Sequence, residues 1–113
     1  LRKVRTDLMA TPGYHWTLMD EMNPACREAY KQFSALTNSN QVLPVKYREL
    51  LVFGMACVLR SAPAVRTHAE TAAKKYGATK EELFAVLATA MSLGGVPAYR
   101  EACEALEDFL KTL

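Results

Sequence analysis

The chain has 113 residues, which is the length of one small domain with one modest core, so we expect no second independent domain. Half of its residues are hydrophobic and 23% are charged, a composition typical of a folded globular protein. Fourteen basic and twelve acidic residues give a formal charge of +2, and no basic run concentrates that charge. We therefore expect neither a nucleic-acid partner nor an anionic membrane surface.

The cysteine usage and the lengths of the apolar runs indicate a cytoplasmic protein. Cys26, Cys57 and Cys103 are odd in number and far apart, in neither a CxxC nor a metal-binding spacing, so reduced thiols are expected. The longest apolar run, Leu50 to Leu59, has ten residues, whereas a membrane-spanning helix needs about twenty. The first residues lack the apolar stretch of a signal peptide. The sequence thus predicts no transmembrane segment.

Strand patterns are nearly absent from the chain, so the predicted fold class is all-α. Residues 1–16 are expected to be weakly structured, followed by a short helical piece from Trp16 to Met22. Asn23 and Pro24 then suit the cap and first position of a helix. Its apolar face, which ends near Thr37 before a loop over residues 38–40, consists of Cys26, Ala29, Tyr30, Phe33 and Leu36.

A second, central helix is predicted to open at Pro44 and to contain the apolar run. Because this run is apolar on every side, we expect other elements to enclose it. A domain of this size has difficulty surrounding such a helix alone, so part of its cover is expected from another subunit. The sequence therefore predicts a homo-oligomer.

Three further helices are expected in the second half of the chain. The first begins at Ser61 and Pro63 and ends at Gly77, a residue type common at helix C-termini. The second begins with the capping box of Thr79 and Glu82 and ends at Gly94 and Gly95. The last begins at Pro97 and carries one apolar stripe, formed by Tyr99, Ala102, Cys103, Leu106, Phe109, Leu110 and Leu113.

Two residues stand out as candidates for acid and base chemistry. His68 shares a helix face with Val65 and Ala69, where an imidazole can move protons near neutral pH, although a core histidine with one hydrogen bond would look the same. Glu49 is the last charged residue before the apolar run, where it is either a partner of His68 or a favourable first-turn carboxylate. A plain hairpin would offset the two by about 7 Å. A kink between Arg60 and Pro63, or a bridging water, would be needed.

Other reactive arrangements are not expected. A hydrolase triad of Ser61, His68 and Glu49 fails because Ser61 and His68 are about 10 Å apart along one helix; Ser61 suits a helix N-cap better. Cys57 lies inside the apolar run, where core packing is favoured over reactivity. Two histidines without clustered acidic or thiol ligands do not make a metal site. Gly94 and Gly95 lack a phosphate-loop spacing, so no cofactor is expected.

Four segments, in this order and spacing, resemble the carboxymuconolactone decarboxylase superfamily, which includes the alkyl hydroperoxidase D (AhpD) proteins. They are Leu43-Pro-x-Lys-x-Arg-Glu-Leu-Leu51, His68, Gly77-Ala-Thr-x-Glu-Glu82 and Gly94-Gly-Val-Pro-Ala98. The resemblance covers residues 43–108 continuously and residues 17–37 more loosely. It implies a single all-helical AhpD-like domain over residues 1–113 that assembles into a trimer or a hexamer.

In the redox branch of that family the pattern is Glu, eleven residues, Cys-x-x-Cys, three residues and His. Glu49 and His68 fall on the matching positions, but Ser61 and Ala64 occupy the two cysteine positions. Neither residue can form the disulfide of a peroxidase cycle. Residual peroxide reduction through Cys57, which has no resolving partner nearby in sequence, is not expected.

The resemblance therefore implies the decarboxylase branch, since Pro63-Ala-Val-Arg66-Thr-His68 is similar to its Pro-x-x-Arg-x-His pattern. In that interpretation a small carboxylated lactone is the substrate, His68 handles a proton and Glu49 orients the imidazole. Arg66 and Ser61 are the expected substrate-binding residues, although Arg66 lies off the apolar stripe and could reach the site only across a subunit boundary. The alternative is a family member without thiol chemistry that serves as a small-molecule-binding or structural oligomer.

Overall fold

A computed structural model describes residues 13–39 and 42–113 of the chain. These residues form five α-helices and no strand, which confirms the all-α prediction. The expectation for residues 1–12 and the predicted loop residue Asn40 lie outside the described residues. The helices are α1 (Tyr14–Met22), α2 (Pro24–Thr37), α3 (Val45–Val58), α4 (Ala62–Tyr76) and α5 (Lys80–Leu110).

The chain divides into two compact units between residues 41 and 42, and α1 and α2 belong to the first. The Asn23 side chain accepts a hydrogen bond of 3.0 Å from the Cys26 N–H, and Pro24 follows it at the start of α2, as predicted. Trp16 stacks on Tyr30 with ring centroids 4.4 Å apart. None of the described residues of this unit is buried. The single domain over residues 1–113 stays a prediction.

The second unit consists of α3, α4 and α5, each of which packs against the other two. Its core is apolar, and none of the described polar or charged residues is buried in it. Burial of this surface is the main favourable term that holds the three helices together. The largest fully buried side chains are Phe53, Leu83, Leu87, Leu106, Val65 and Cys57.

The other two helices of this unit enclose α3 only in part, and the expected cover from another subunit stays a prediction. Leu50 and Phe53 face the core, but Leu51 and Met55 on the opposite side are 54% and 56% exposed. The physical reason is geometric, because α4 and α5 are the two helices of this unit that pack on α3, and they cover only part of its circumference. One apolar side of the central helix is therefore left uncovered by the other two helices of this unit.

The reversal between α3 and α4 occurs at Arg60, the described non-glycine residue with a positive φ, of 60°. The Ser61 N–H donates to the Ala56 carbonyl at 3.1 Å, a bond that closes a helix end around a left-handed residue. The predicted break is confirmed here. Ser61 occupies the N-cap position of α4, but its side chain makes no cap hydrogen bond. Pro63, in the first turn of α4, has no backbone N–H that could donate to the Ser61 side chain.

Helix α5 begins with the predicted capping box, in which the Thr79 hydroxyl accepts from the Glu82 N–H at 3.1 Å and Glu82 accepts from the Thr79 N–H at 2.9 Å. Its interior is interrupted at Gly95, with φ 81° and ψ 173°, a conformation essentially restricted to glycine. The predicted end at Gly94 and Gly95 is thus a kink, which divides α5 into a first arm before Gly95 and a second arm after it. At Gly94 an added Cβ would lie 2.9 Å from the Ala98 Cβ.

By length and composition alone, α5 is long and apolar enough to cross a membrane. This finding differs from the sequence argument because the kinked helix joins two segments that the sequence separates at Gly95. The same helix contributes Leu83, Leu87 and Leu106 to the core of the second unit. Core helices of that kind pass the same test.

The capping box generates a stability prediction. Replacing Thr79 with Ala removes the acceptor for the Glu82 N–H, and we expect the free energy of unfolding in urea to fall by about 1 kcal/mol. Thr67→Ala, at an exposed position inside α4, is the matched control. It should change the free energy of unfolding by no more than about 0.5 kcal/mol. Equal effects of the two substitutions would contradict the capping role.

Candidate active site

Glu49 on α3 and His68 on α4 meet directly. The Glu49 Oε2 lies 2.8 Å from the His68 Nδ1, and the two side chains are 21% and 31% exposed. The sequence analysis needed a kink or a bridging water to remove the axial offset between Glu49 and His68. The reversal of the chain at Arg60 provides the kink. The half-buried position shields the bond from much of the solvent and still leaves the imidazole accessible from outside the chain.

The His68 side chain belongs to a half-buried stripe along α4. Ser61, Ala64 and Thr71 recur with it at helical spacing and are all partly exposed, so they share one face of the helix. Ser61 lies about 10 Å from His68 along the axis, at the end of the helix where α4 begins. The structure therefore keeps Ser61 on the face of the acid and imidazole pair, beyond reach of a hydrogen bond to His68.

The geometry of the pair defines what it can do chemically. When the His68 Nδ1–H donates to the Glu49 carboxylate, the Nε2 of the same ring is left for another molecule. The carboxylate fixes the orientation of the ring and stabilises its positive charge after proton uptake. Such a pair can take up or deliver one proton at a fixed point in space.

Arg66 does not join this pair. It is two residues from His68, a rotation of about 200° around the helix, and lines a separate pocket of about 350 Å³ between α4 and the second arm of α5. This agrees with its predicted position off the apolar stripe. A contact of Arg66 with a substrate held at His68 stays a prediction that requires a neighbouring subunit.

The same pocket holds an ion pair that sequence reasoning missed. The Arg60 Nη2 donates to the Glu101 Oε1 at 2.9 Å, and a second bond joins the Arg60 Nε to the same carboxylate. The hydrogen bonds from Arg60 lower the pKa of Glu101. No sequence signal indicates a pair that is 41 residues apart, because the kink at Gly95 decides where the second arm of α5 lies.

Cys57 is almost fully buried, with 1% of its surface exposed. Burial raises the pKa of its thiol to about 11, and the neighbouring Cys103 contributes to the rise. The thiolate is the reactive form of cysteine, so this environment agrees with the predicted packing role. Among residues 13–39 and 42–113, no group of three or more His, Cys, Asp and Glu side chains could hold a metal ion.

A further hollow of the second unit lies between α3 and the first arm of α5. It is an open apolar groove of about 860 Å³, which we call the α3/α5 groove, and neither Glu49 nor His68 belongs to its lining. The apolar run on α3 was a partial sequence signal for this groove, because the run is apolar on more sides than the two neighbouring helices can cover. Its thirteen lining residues are Tyr47, Leu50, Leu51, Gly54, Met55, Val58, Leu59, Ala85, Val86, Thr89, Ala90, Ser92 and Leu93.

The raised pKa of Cys57 gives a labelling prediction. At pH 8 about one Cys57 side chain in a thousand is a thiolate, so iodoacetamide should modify the exposed Cys26 much faster than Cys57. Mass spectrometry of the digested protein measures both rates. The same chain in guanidinium chloride is the control, in which the difference should vanish. Equal rates in the folded protein would contradict the buried, protonated thiol.

Comparison with known proteins shows the family of the chain. No curated protein sequence is similar enough to the chain to count as a match. The sequence profile of the Carboxymuconolactone decarboxylase family matches residues 24–108, which extends from the start of α2 into the second arm of α5 and includes both Glu49 and His68. Because the match covers well over half of its length, the chain belongs to the carboxymuconolactone decarboxylase family.

Proposed function

We propose that this protein is a cofactor-free enzyme that decarboxylates a small carboxylated lactone, with His68 and Glu49 as the pair that moves the proton. The observation that carries the proposal is the 2.8 Å contact between the Glu49 carboxylate and the His68 Nδ1 on a half-buried face. An imidazole with one nitrogen held by a carboxylate and the other free is a common acid and base arrangement. Family membership is consistent with this activity.

The reaction can be written for these residues. The bond between the ring carbon and the carboxylate breaks, CO₂ leaves, and the electron pair stays on the lactone, delocalised towards its carbonyl. An imidazolium at His68 then delivers its Nε2 proton to the carbanionic carbon, while the Glu49 carboxylate stabilises the cation before transfer. Water returns the proton to the imidazole. In this scheme His68 is the catalytic residue and Glu49 the positioning residue.

Ser61 and Ala64 support proton chemistry over thiol chemistry. They share the face of His68 and carry no thiol, so no disulfide can form and break beside the pair. Ser61, at the start of α4, is the proposed contact for a polar group of the substrate. The protonated, buried Cys57 does not replace the missing thiols, because its raised pKa keeps the reactive form scarce.

A second candidate function is a small-molecule-binding or structural oligomer of the same family. The position of Arg66 favours it, since this residue lines a pocket whose lining includes neither His68 nor Glu49. We further propose a cytoplasmic location without a nucleic-acid or membrane partner. The three free cysteines support a reducing compartment.

The test follows CO₂ release from 4-carboxymuconolactone by the purified chain. We expect His68→Ala to lower turnover by about 10² to 10⁴, the usual contribution of a positioned acid or base. Glu49→Gln should lower it less, since an amide still accepts the Nδ1–H bond but does not stabilise the imidazolium. Nitrogen NMR of His68 should show its Nδ1-protonated tautomer in the wild type and a weaker preference for that tautomer in Glu49→Gln, because a neutral amide is the weaker acceptor.

Two control variants match these substitutions. His15→Ala changes the other histidine, which lies in α1, and Glu70→Gln changes a carboxylate on α4 that pairs with Lys74. Both should retain wild-type turnover. Turnover by His68→Ala equal to that of the wild type, with helical circular dichroism intact, would overturn the proposed role of His68. A wild-type chain that releases no CO₂ would exclude this substrate and favour the binding or structural oligomer.

A further inference from the structure

The pocket between α4 and the second arm of α5 combines an apolar floor with a charged rim. Its volume of about 350 Å³ lies within the range of small-molecule sites. Neither Glu49 nor His68 belongs to its lining, so it is a compartment apart from that pair. The charged lining residues are Arg60, Arg66, Glu101 and Glu104.

Arg60 is held in a fixed position at this rim. Its φ of 60° is uncommon for a residue with a side chain, and such backbone outliers cluster at ligand sites. Both oxygens of Glu101 accept from the guanidinium, one from Nε and one from Nη2. A guanidinium has five N–H donors, so this pairing uses one edge of the group. The N–H groups of the other edge are left for a second acceptor.

Arg66 brings a second guanidinium to the same pocket. Among residues 13–39 and 42–113, no acidic side chain forms an ion pair with it. A single exposed arginine is ordinary on a protein surface, but this one shares its pocket with the oriented Arg60. The planar fork of a guanidinium matches the two oxygens of a carboxylate. Two such forks on one pocket therefore favour an anionic ligand.

The acidic residues of the rim do not cancel this positive charge. Glu101 is paired with Arg60. Glu104 has an exposed side chain, and its Oε1 lies 3.9 Å from the Nε of Arg100, so its charge is shared with an arginine as well. Three arginines thus accompany two glutamates at this end of the unit. The guanidinium of Arg66 is the charge that the rim leaves uncompensated.

The floor of the pocket determines what else the ligand must carry. It consists of small apolar side chains, which offer no side-chain hydrogen bond and leave room for only a short ligand. An inorganic anion would leave this surface uncovered, whereas a short hydrocarbon chain would bury it. The floor residues are the buried Val65, Ala98 and Ala102 and the half-buried Ala62 and Ala105.

We propose that this pocket binds a small aliphatic monocarboxylate. Its carboxylate accepts from Arg66 and from the free edge of Arg60, and its hydrocarbon chain lies on the alanine floor. All of these contacts come from one chain, so the site needs no neighbouring subunit. The proposal does not depend on the proposed enzymatic reaction, because Glu49 and His68 take no part in it.

The test titrates the nitrogen-15-labelled full chain with butyrate and follows the arginine Nε–H and backbone amide signals by NMR. We expect saturable shifts at Arg60, Arg66 and Ala98, with a Kd on the order of 1 mM or below for a ligand of this size. Butylamine, which has the same chain and the opposite charge, should not saturate. Arg66→Gln should raise the Kd about tenfold or more. Ala105→Leu, which fills the floor and keeps both arginines, should also weaken binding.

Two control variants separate this pocket from other cationic positions. Lys75→Gln removes an exposed charge of α4 outside the lining, and His68→Ala removes the imidazole; each should keep the Kd within about twofold. Helical circular dichroism checks that every variant is folded. A wild type without saturable shifts, or an unchanged Kd in Arg66→Gln, would overturn the proposal. So would loss of binding in His68→Ala alone, or equally tight binding of inorganic phosphate, which would show a site for anions in general.

Discussion

The reversal of the chain at Arg60 is the constraint on which the candidate site depends. The left-handed backbone of Arg60 lies between the end of α3 and the start of α4. It bends the chain away from a plain hairpin, so that Glu49 and His68 lie side by side. A left-handed residue with a side chain costs about 1–2 kcal/mol. The Arg60 side chain also joins Glu101 on α5, so one residue ties the turn to all three helices of the second unit.

The kink at Gly95 is the second constraint. It lets one long helix serve two packing roles, with the first arm beside the apolar side of α3 and the second arm beside α4. The close approach at Gly94, where an added Cβ would lie 2.9 Å from the Ala98 Cβ, requires a residue without a side chain. These two glycines therefore decide both the walls of the α3/α5 groove and the position of Glu101.

Three helices form the core of the second unit, and this number limits what they can cover. Each packs against the other two, so one side of every helix faces away from the core. On α4 that geometry leaves room for the half-buried stripe with His68 and Ser61. On α3 it leaves Leu51 and Met55 open, although the residues are as apolar as those inside. The candidate catalytic face and the apolar groove are thus two consequences of the same small core.

The sequence by itself determined the helices, their caps and their breaks, because these depend on residues within one turn of each other: Asn23 and Cys26, Thr79 and Glu82, and the glycines at 77 and 95. It also singled out Glu49 and His68 as candidates, whose catalytic role stays a prediction. Only the tertiary structure decided that the two side chains touch, that Arg66 faces elsewhere and that Arg60 pairs with Glu101. Those contacts depend on two backbone bends, and a bend of a few tens of degrees moves side chains many residues away by several ångströms.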